Sequence, residues 1–235
     1  MAKIYGIISG KGGVGKTTST INIAAALNIL GADAMIVDAN FSTPNIGLHL
    51  GAPIVPLTMN HVLDEKADVR AAVYEHESGL KVLISSLAMQ KIENIKHEKL
   101  VGLGKQLRRL SDYVILDSAA GLGKETESVI KAADELILIT HAEMPSVTDA
   151  LKTIKLAEQL GKEVRGFIIT RRKNKRTEMP IDNIKDMLEI PLLGIVPEDR
   201  KMQKALYLKD AIVHTHPRSK SARAYKKIAQ KLLED

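Results

Sequence analysis

The stretch IISGKGGVGKTTSTINIAAAL, residues 7–27, decides how the rest of the chain is read. Apolar residues lead into a glycine-rich loop, and the loop leads into a helical pattern. The loop fits the phosphate-binding template G-x-x-x-x-G-K-[ST] at Gly10, Gly15, Lys16 and Thr17. Its glycines let the backbone curl until successive N–H groups converge on phosphate oxygens. A helix starting near Lys16 adds its positive dipole end. Lys16 is placed to reach the β- and γ-phosphates, and the Thr17 hydroxyl to ligate Mg²⁺. The candidate cradle is Gly10, Lys11, Gly12, Gly13, Val14, Gly15, Lys16, Thr17 and Thr18. The template needs one lysine, yet Lys11 adds a second directly after the first glycine.

Outward from this loop, short apolar runs alternate with helical periods. The candidate strands are KIYGIIS, AMIVDA, LKVLIS, DYVILDS, ELILIT, VRGFIIT and PLLGIVP. Most are continuous apolar runs, as strands buried on both faces should be. Val147, Ala150, Leu151, Ile154, Ala157 and Leu160 recur at helix spacing, with Ser146 and Asp149 placed as a capping box. The alternation implies an α/β fold: a mostly parallel twisted sheet with helices on both faces, in three layers. Such sheets bind ligands at the carboxyl ends of their strands. No repeat, low-complexity tract or linker interrupts residues 1–235, so a single domain is expected.

Composition narrows the partners. The 235 residues contain no cysteine, which removes disulfides, thiolate metal sites and iron–sulfur ligation. No run of about 18 apolar residues occurs, and the N-terminus enters a strand directly, so a cytoplasmic protein is expected. A net charge of +6 points to an anionic partner: nucleotide, nucleic acid or lipid surface. Aromatic residues are only 3% of the chain, which weakens any case for base-stacking readers of single strands.

Two acids sit where a nucleotide-bound metal would want them. Asp38 ends the second strand in MIVDAN, and Asp117 ends YVILDSAAGLG. Each can hold Mg²⁺ directly or through water from the carboxyl edge of the sheet. Gly121 and Gly123 suit a loop that senses the γ-phosphate and moves.

With GKGGVGKTT, IVDAN and ILDSAAG in hand, the chain resembles the deviant Walker A ATPases of the MinD/ParA superfamily, and within them the MinD branch, archaeal-type members above all. NIGLHLG, SVTDALKTIKLAEQLG, IITR and LLGIVPEDRKMQKA extend the resemblance over almost the whole chain. It implies a P-loop NTPase fold that binds ATP/ADP with Mg²⁺ and hydrolyses ATP. It also implies a homodimer formed with ATP, in which Lys11 crosses the interface to the partner's phosphates while Lys16 serves its own nucleotide. By the same resemblance Pro197, Glu198 and Asp199 lie beside the adenine, and Arg171, just past a strand end, takes the other side of the base. Catalytic roles fall to Lys11, Lys16, Asp38 and Asn40, and metal ligation to Thr17, Asp38 and Asp117. ATP rather than GTP is inferred because no N-K-x-D motif occurs.

Two departures stand out. Relatives usually carry an aspartate at the position of Asn40, where it helps orient the attacking water. Asparagine accepts a hydrogen bond but brings no charge, so a slow ATPase needing an activating or cargo protein is expected. The second departure is the absence of an evident C-terminal membrane-targeting extension. Ala222, Tyr225, Ile228, Ala229 and Leu232 form a stripe expected to pack on the domain, opposite Lys220, Arg223, Lys227 and Lys231. Contact with the inner face of the cell membrane is then doubtful or delegated to a partner. The expected role is positioning of cell-division or other machinery. The alternative is a ParA-like partition protein whose ATP dimer binds DNA through RRKNKR, residues 171–176, and the basic C-terminal helix. His214 and His216 could pinch a metal on a strand, but with no third ligand nearby they are expected to be surface residues.

Overall fold

The computed structural model describes residues 2–52, 54–88 and 96–234. Strand β1 (Lys3–Ile8) is followed by α1 (Lys16–Ile29), β2 (Ala34–Asp38), α2 (Ile46–His49) and α3 (Met59–Leu63). Next come β3 (Tyr74–Glu75), β4 (Lys81–Leu83), a 3₁₀ turn (His97–Leu103), α4 (Gly104–Leu107), β5 (Tyr113–Asp117) and α5 (Lys124–Ala132). The remainder is β6 (Glu135–His141), α6 (Met144–Gln159), β7 (Val164–Arg172), α7 (Ile181–Leu188), β8 (Leu192–Pro197), α8 (Lys201–Tyr207), α9 (Ile212–Thr215) and α10 (Lys220–Leu233).

The strands form one sheet in the order β3-β4-β2-β5-β1-β6-β7-β8, parallel except where β3 runs against β4. All seven apolar runs read as strands are strands. The added β3 has two residues, too short for any periodicity to mark it. Side chains alternate between two cores as a pleated strand requires. Ile4 and Ile8 face the layer of α5, α6 and α7, while Tyr5 and Ile7 face that of α1, α9 and α10. Helix α1 is buried almost all round, because the sheet covers one side and α10 packs on the other.

The stripe on α10 lies wholly inside: Ala222, Tyr225, Ile228, Ala229 and Leu232 are each no more than 1% exposed. Fully burying side chains of this size contributes about 1.5–3 kcal/mol for each large one, so the stripe is spent on the domain. Among the described residues no helix is long and apolar enough to cross a membrane.

The capping box expected at Ser146 and Asp149 does not form. Helix α6 starts earlier, at Met144, with Pro145 in its first turn. Proline there has a fixed φ suited to a helix start and no N–H to satisfy. Ser146 is therefore inside the helix, its hydroxyl buried and, among the described residues, unpartnered.

Candidate functional site

The loop after β1 lies between the carboxyl ends of β5 and β6, beside the central strand. Gly13 and Gly15 have φ of 78° and 84°, the left-handed region glycine enters freely. Gly10 is required for a different reason. A Cβ there would sit 2.2 Å from the Asp149 carbonyl oxygen, so α6 presses its backbone directly on the loop. From the other side the Thr170 hydroxyl donates to the Val14 carbonyl at 2.6 Å, and the Gly121 N–H donates to the Ser9 carbonyl. Lys11, Gly12 and Gly13 remain exposed at the rim, whereas Val14 and Lys16 are buried.

Lys16 turns inward. Its ammonium donates to Asp117 Oδ1 at 2.8 Å and to the Ser118 carbonyl. The Thr17 hydroxyl donates to Asp117 Oδ2 at 2.6 Å, and Thr20 adds a third donor at 3.1 Å. Asp117 thus draws together the loop's lysine and hydroxyl. Asp38 is its register partner on β2 and is equally buried. Among the described residues its carboxylate accepts the backbone N–H groups of Asn40 and Ile46 at 3.2 and 3.3 Å and no side-chain donor. Burial first, and the Asp117 charge second, push its carboxyl up to about 8.

Asn40 is buried and tied to Thr43. Its amide nitrogen donates to the Thr43 carbonyl at 2.7 Å, and its oxygen accepts from the Thr43 hydroxyl and N–H at 3.0 and 3.3 Å. Both ends of the amide are used, which an aspartate could not reproduce.

Two clefts open over this constellation. One of about 380 Å³ is lined by Lys11, Lys16, Thr17, Asn40, Ala120 and other loop residues. The second, of about 580 Å³, is lined by Pro197, Glu198, Asp199, Met202, Gln203 and Tyr225 among others. Gly15, Thr18 and Arg171 line both, so the two are continuous. Together they span the size of a ligand site. Arg171 is not past the strand end as expected: β7 continues through Arg172, which pairs with Pro197 across an irregularity in register. Arg171 sits in that irregularity with φ of 50°, and such local departures re-aim a side chain.

The cluster fits a magnesium nucleotide. It supplies hydroxyl and carboxylate oxygens, the donor set of Mg²⁺, beside a lysine and the start of α1. Asp117 occupies Lys16 and Thr17 with a negative charge where the loop could otherwise meet an anion.

Several neighbours carried no sequence signal. His49 and Asn45 line the smaller cleft from α2 and its approach. His141 ends β6, and burial, with Arg171 and Lys11 nearby, pushes its imidazole down despite Glu143. Thr20 could have been found, since it lies one helical turn beyond Lys16 on the same face.

The other candidates sit apart. Within residues 171–176, Arg172 pairs with Glu178 at 3.4 Å and Lys173 with Glu198 at 3.3 Å. His214 lies in α9 rather than on a strand and bonds Asp210 at 2.9 Å. Among the described residues no group of three or more histidine, aspartate or glutamate side chains is placed to hold a metal ion.

A family model described as the CobQ/CobB/MinD/ParA nucleotide binding domain matches residues 5–210. An uncharacterized ATP-binding protein of Methanocaldococcus jannaschii is 39% identical over 233 residues, covering 99% of this chain and 88% of that one. The septum site-determining protein MinD of Pyrococcus horikoshii, solved with Mg-ADP, superposes with a TM-score of 0.93 at 30% identity, covering 99% and 96% of the two chains. MinD in the MinC:MinD cell division complex of Aquifex aeolicus superposes at 0.90 with 27% identity, covering 100% and 97%. With the central loop, both strand-end aspartates and nearly the full length accounted for, the chain belongs to the CobQ/CobB/MinD/ParA nucleotide-binding family.

Proposed function

We propose that this chain is a slow MinD-like ATP hydrolase whose ATP-loaded form pairs as a homodimer and positions cell-division or other cellular machinery. The observation that carries the reading is the division of labour between two lysines of one loop. Lys16 is buried and engaged with Asp117, whereas Lys11 stands exposed at the rim of the phosphate cleft. An exposed cation on that side is best used by a phosphate charge on a facing copy.

Binding requires exchange. Lys16 leaves Asp117 and the Ser118 carbonyl for the nucleotide, and Thr17, Asp38 and Asp117 become free to hold Mg²⁺. When bound, the ion neutralises charge on the β- and γ-phosphates. The loop residues Gly10, Gly12, Gly13, Val14, Gly15 and Thr18 complete the phosphate cradle. Arg171, Pro197, Glu198 and Asp199 take the base in the adjoining cleft, where the planar Arg171 head can stack on a purine. Asn40 positions the attacking water, but only after its amide is released from Thr43, and this requirement supports slow turnover. An activating or cargo protein that favours the released loop would speed it. The Pyrococcus protein's Mg-ADP and the Aquifex protein's MinC partner support nucleotide binding and a protein partner for this chain.

The outward cations of α10, Lys220, Arg223 and Lys227, favour a second reading in which the ATP dimer binds DNA without sequence preference. Salt-dependent retention of random duplex only with ATP would favour it; no binding at low salt removes it.

Sedimentation of the wild type and Lys11→Ala with Mg-ADP and with a slowly hydrolysed ATP analogue tests the main reading. The expected result is a monomer with ADP, a dimer with the analogue, and loss of that dimer in the variant. A wild type that stays monomeric with the analogue would overturn it.

A further inference from the structure

The first turn of α5 hooks two loops at once. Glu125 is buried, and its carboxylate receives both the hydroxyl and the backbone N–H of Ser42, the latter at 3.3 Å. The adjacent Thr126 donates its hydroxyl to the Ala119 carbonyl at 3.1 Å. Ser42 belongs to the loop after Asp38, and Ala119 to the loop after Asp117. Both loops border the phosphate cleft, the first through Asn40 and Thr43, the second through Ala120. From Ser42 the chain of contacts continues through the neighbouring Thr43 to the amide of Asn40.

Neither hook is needed to form α5, since Ser42 lies 83 residues away and the helix has its own backbone bonds. Hydrogen bonds to a charged carboxylate are also roughly twice as strong as neutral ones. A buried acid that spends itself on a distant, otherwise exposed loop fixes the position of that loop. Because its neighbour in sequence holds the second loop, the two cannot move independently while both hooks are closed.

We propose that Glu125 is a positioning residue: its clasp on Ser42, next to the Thr126 hook, couples the loop bearing Asn40 to the loop following Asp117, so that both respond together to the phosphate cleft's occupant. The coupling rests on the nucleotide-site reading above. An occupant that draws Lys16 away from Asp117 and Ser118 loosens the second loop at its root. The displacement reaches the start of α5, and Glu125 passes it to Ser42 and so to Asn40. Binding couplings of this kind are reciprocal, so the clasp also sets how well the site distinguishes nucleotides that demand different loop positions.

Hydrogen exchange and nucleotide titration test this on the whole chain, wild type and the variants Glu125→Ala, Glu125→Gln and Ser42→Ala. In the wild type, residues 39–45 and 118–127 are expected to change protection together when Mg-ADP is replaced by a slowly hydrolysed ATP analogue. In Glu125→Ala the second segment still responds, but residues 39–45 no longer follow. The ratio of ADP to analogue affinity shifts by about fivefold or more, the lower end of typical couplings. Glu125→Gln retains an oxygen that accepts one of the two bonds and restores part of the ratio. Ser42→Ala, at an exposed position, keeps the fold and the N–H bond and falls between.

A purely structural role would lower the melting temperature of Glu125→Ala without moving the ratio, and that result overturns the coupling. Absence of protection at residues 10–18 with any nucleotide would instead overturn the nucleotide reading. In that case the nucleotide-free variant decides: faster exchange in residues 39–45 supports the clasp, and unchanged exchange there overturns it.

Discussion

Asp38 and Asp117 are register partners on adjacent parallel strands, both wholly buried, yet only Asp117 receives an ammonium group in a hydrogen bond. The pair therefore divides its work before any ligand arrives. Asp117 holds the loop's lysine and threonine, and Asp38, pushed up to about 8 by burial and by its neighbour's charge, keeps its proton at neutral pH.

That proton has a measurable consequence. The unfolded Asp38 loses it near 3.8 and the folded one near 8, so between these values the native state binds the extra proton. Stability from this group falls as pH rises through the window, by at most about 1.4 kcal/mol per pH unit, and levels off above it. Asp38→Asn removes the penalty. Its stability gain over the wild type in urea melts should grow from pH 5 to pH 8, and a gain independent of pH would contradict the assignment.

On the proposed role of Asp38 in holding Mg²⁺, the same proton must leave as the ion binds. Binding of Mg-ADP should release protons at pH 7, seen as a heat that varies with the ionisation enthalpy of the buffer. Affinity should strengthen as pH rises toward 8, and Asp38→Asn should abolish most of the buffer dependence.

Lys16 is a structural residue through its buried pair with Asp117. Removing it leaves the buried Asp117 charge without its cation, beside a second acid. Breaking a buried pair costs about 3–5 kcal/mol, so Lys16→Ala should unfold at markedly lower denaturant even without ligand. Lys11→Ala, at an exposed position, should leave that midpoint unchanged.

These relationships differ in how far the sequence discloses them. That Lys16, Thr17, Asp38 and Asp117 come together is legible because each is tied to a local pattern: a glycine loop of fixed spacing, or an acid ending an apolar run. The sheet was legible for the same reason, since its strands are short, continuous and bounded. The Ser146 and Asp149 pattern misleads because α6 already begins at Met144, two residues earlier, with Pro145 in its first turn. Arg171 lies inside β7 because the strand continues through an irregularity that no periodicity marks. The Glu125–Ser42 clasp joins residues 83 positions apart, and nothing local to either announces the other.

Asn40 separates two demands on one position. Asn40→Asp would supply a negative charge there, yet it loses the donor to the Thr43 carbonyl and adds a third acid near Asp38 and Asp117. Phosphate release at saturating Mg²⁺ should rise, while stability falls by about 1 kcal/mol for the lost hydrogen bond. Equal turnover in the two proteins would reject a role for this residue in catalysis.

Gly10 and Gly12 offer a contrast within one loop. A Cβ on Gly10 would lie 2.2 Å from the Asp149 carbonyl oxygen, backbone that cannot swing aside, whereas one on Gly12 would meet nothing nearer than Ala120 Cβ at 4.0 Å. Gly10→Ala must therefore push the loop off α6, at a cost of about 1–3 kcal/mol for overpacking. At roughly 2–4 °C per kcal/mol for a chain of this size, the melting temperature should fall by several degrees. Displacing the loop also spreads its N–H groups, so Mg-ADP should protect Gly10→Ala against unfolding far less than it protects the wild type. Gly12→Ala should keep the midpoint, and equal losses of midpoint in the two variants would show that loop flexibility, not the contact with α6, is what Gly10 supplies.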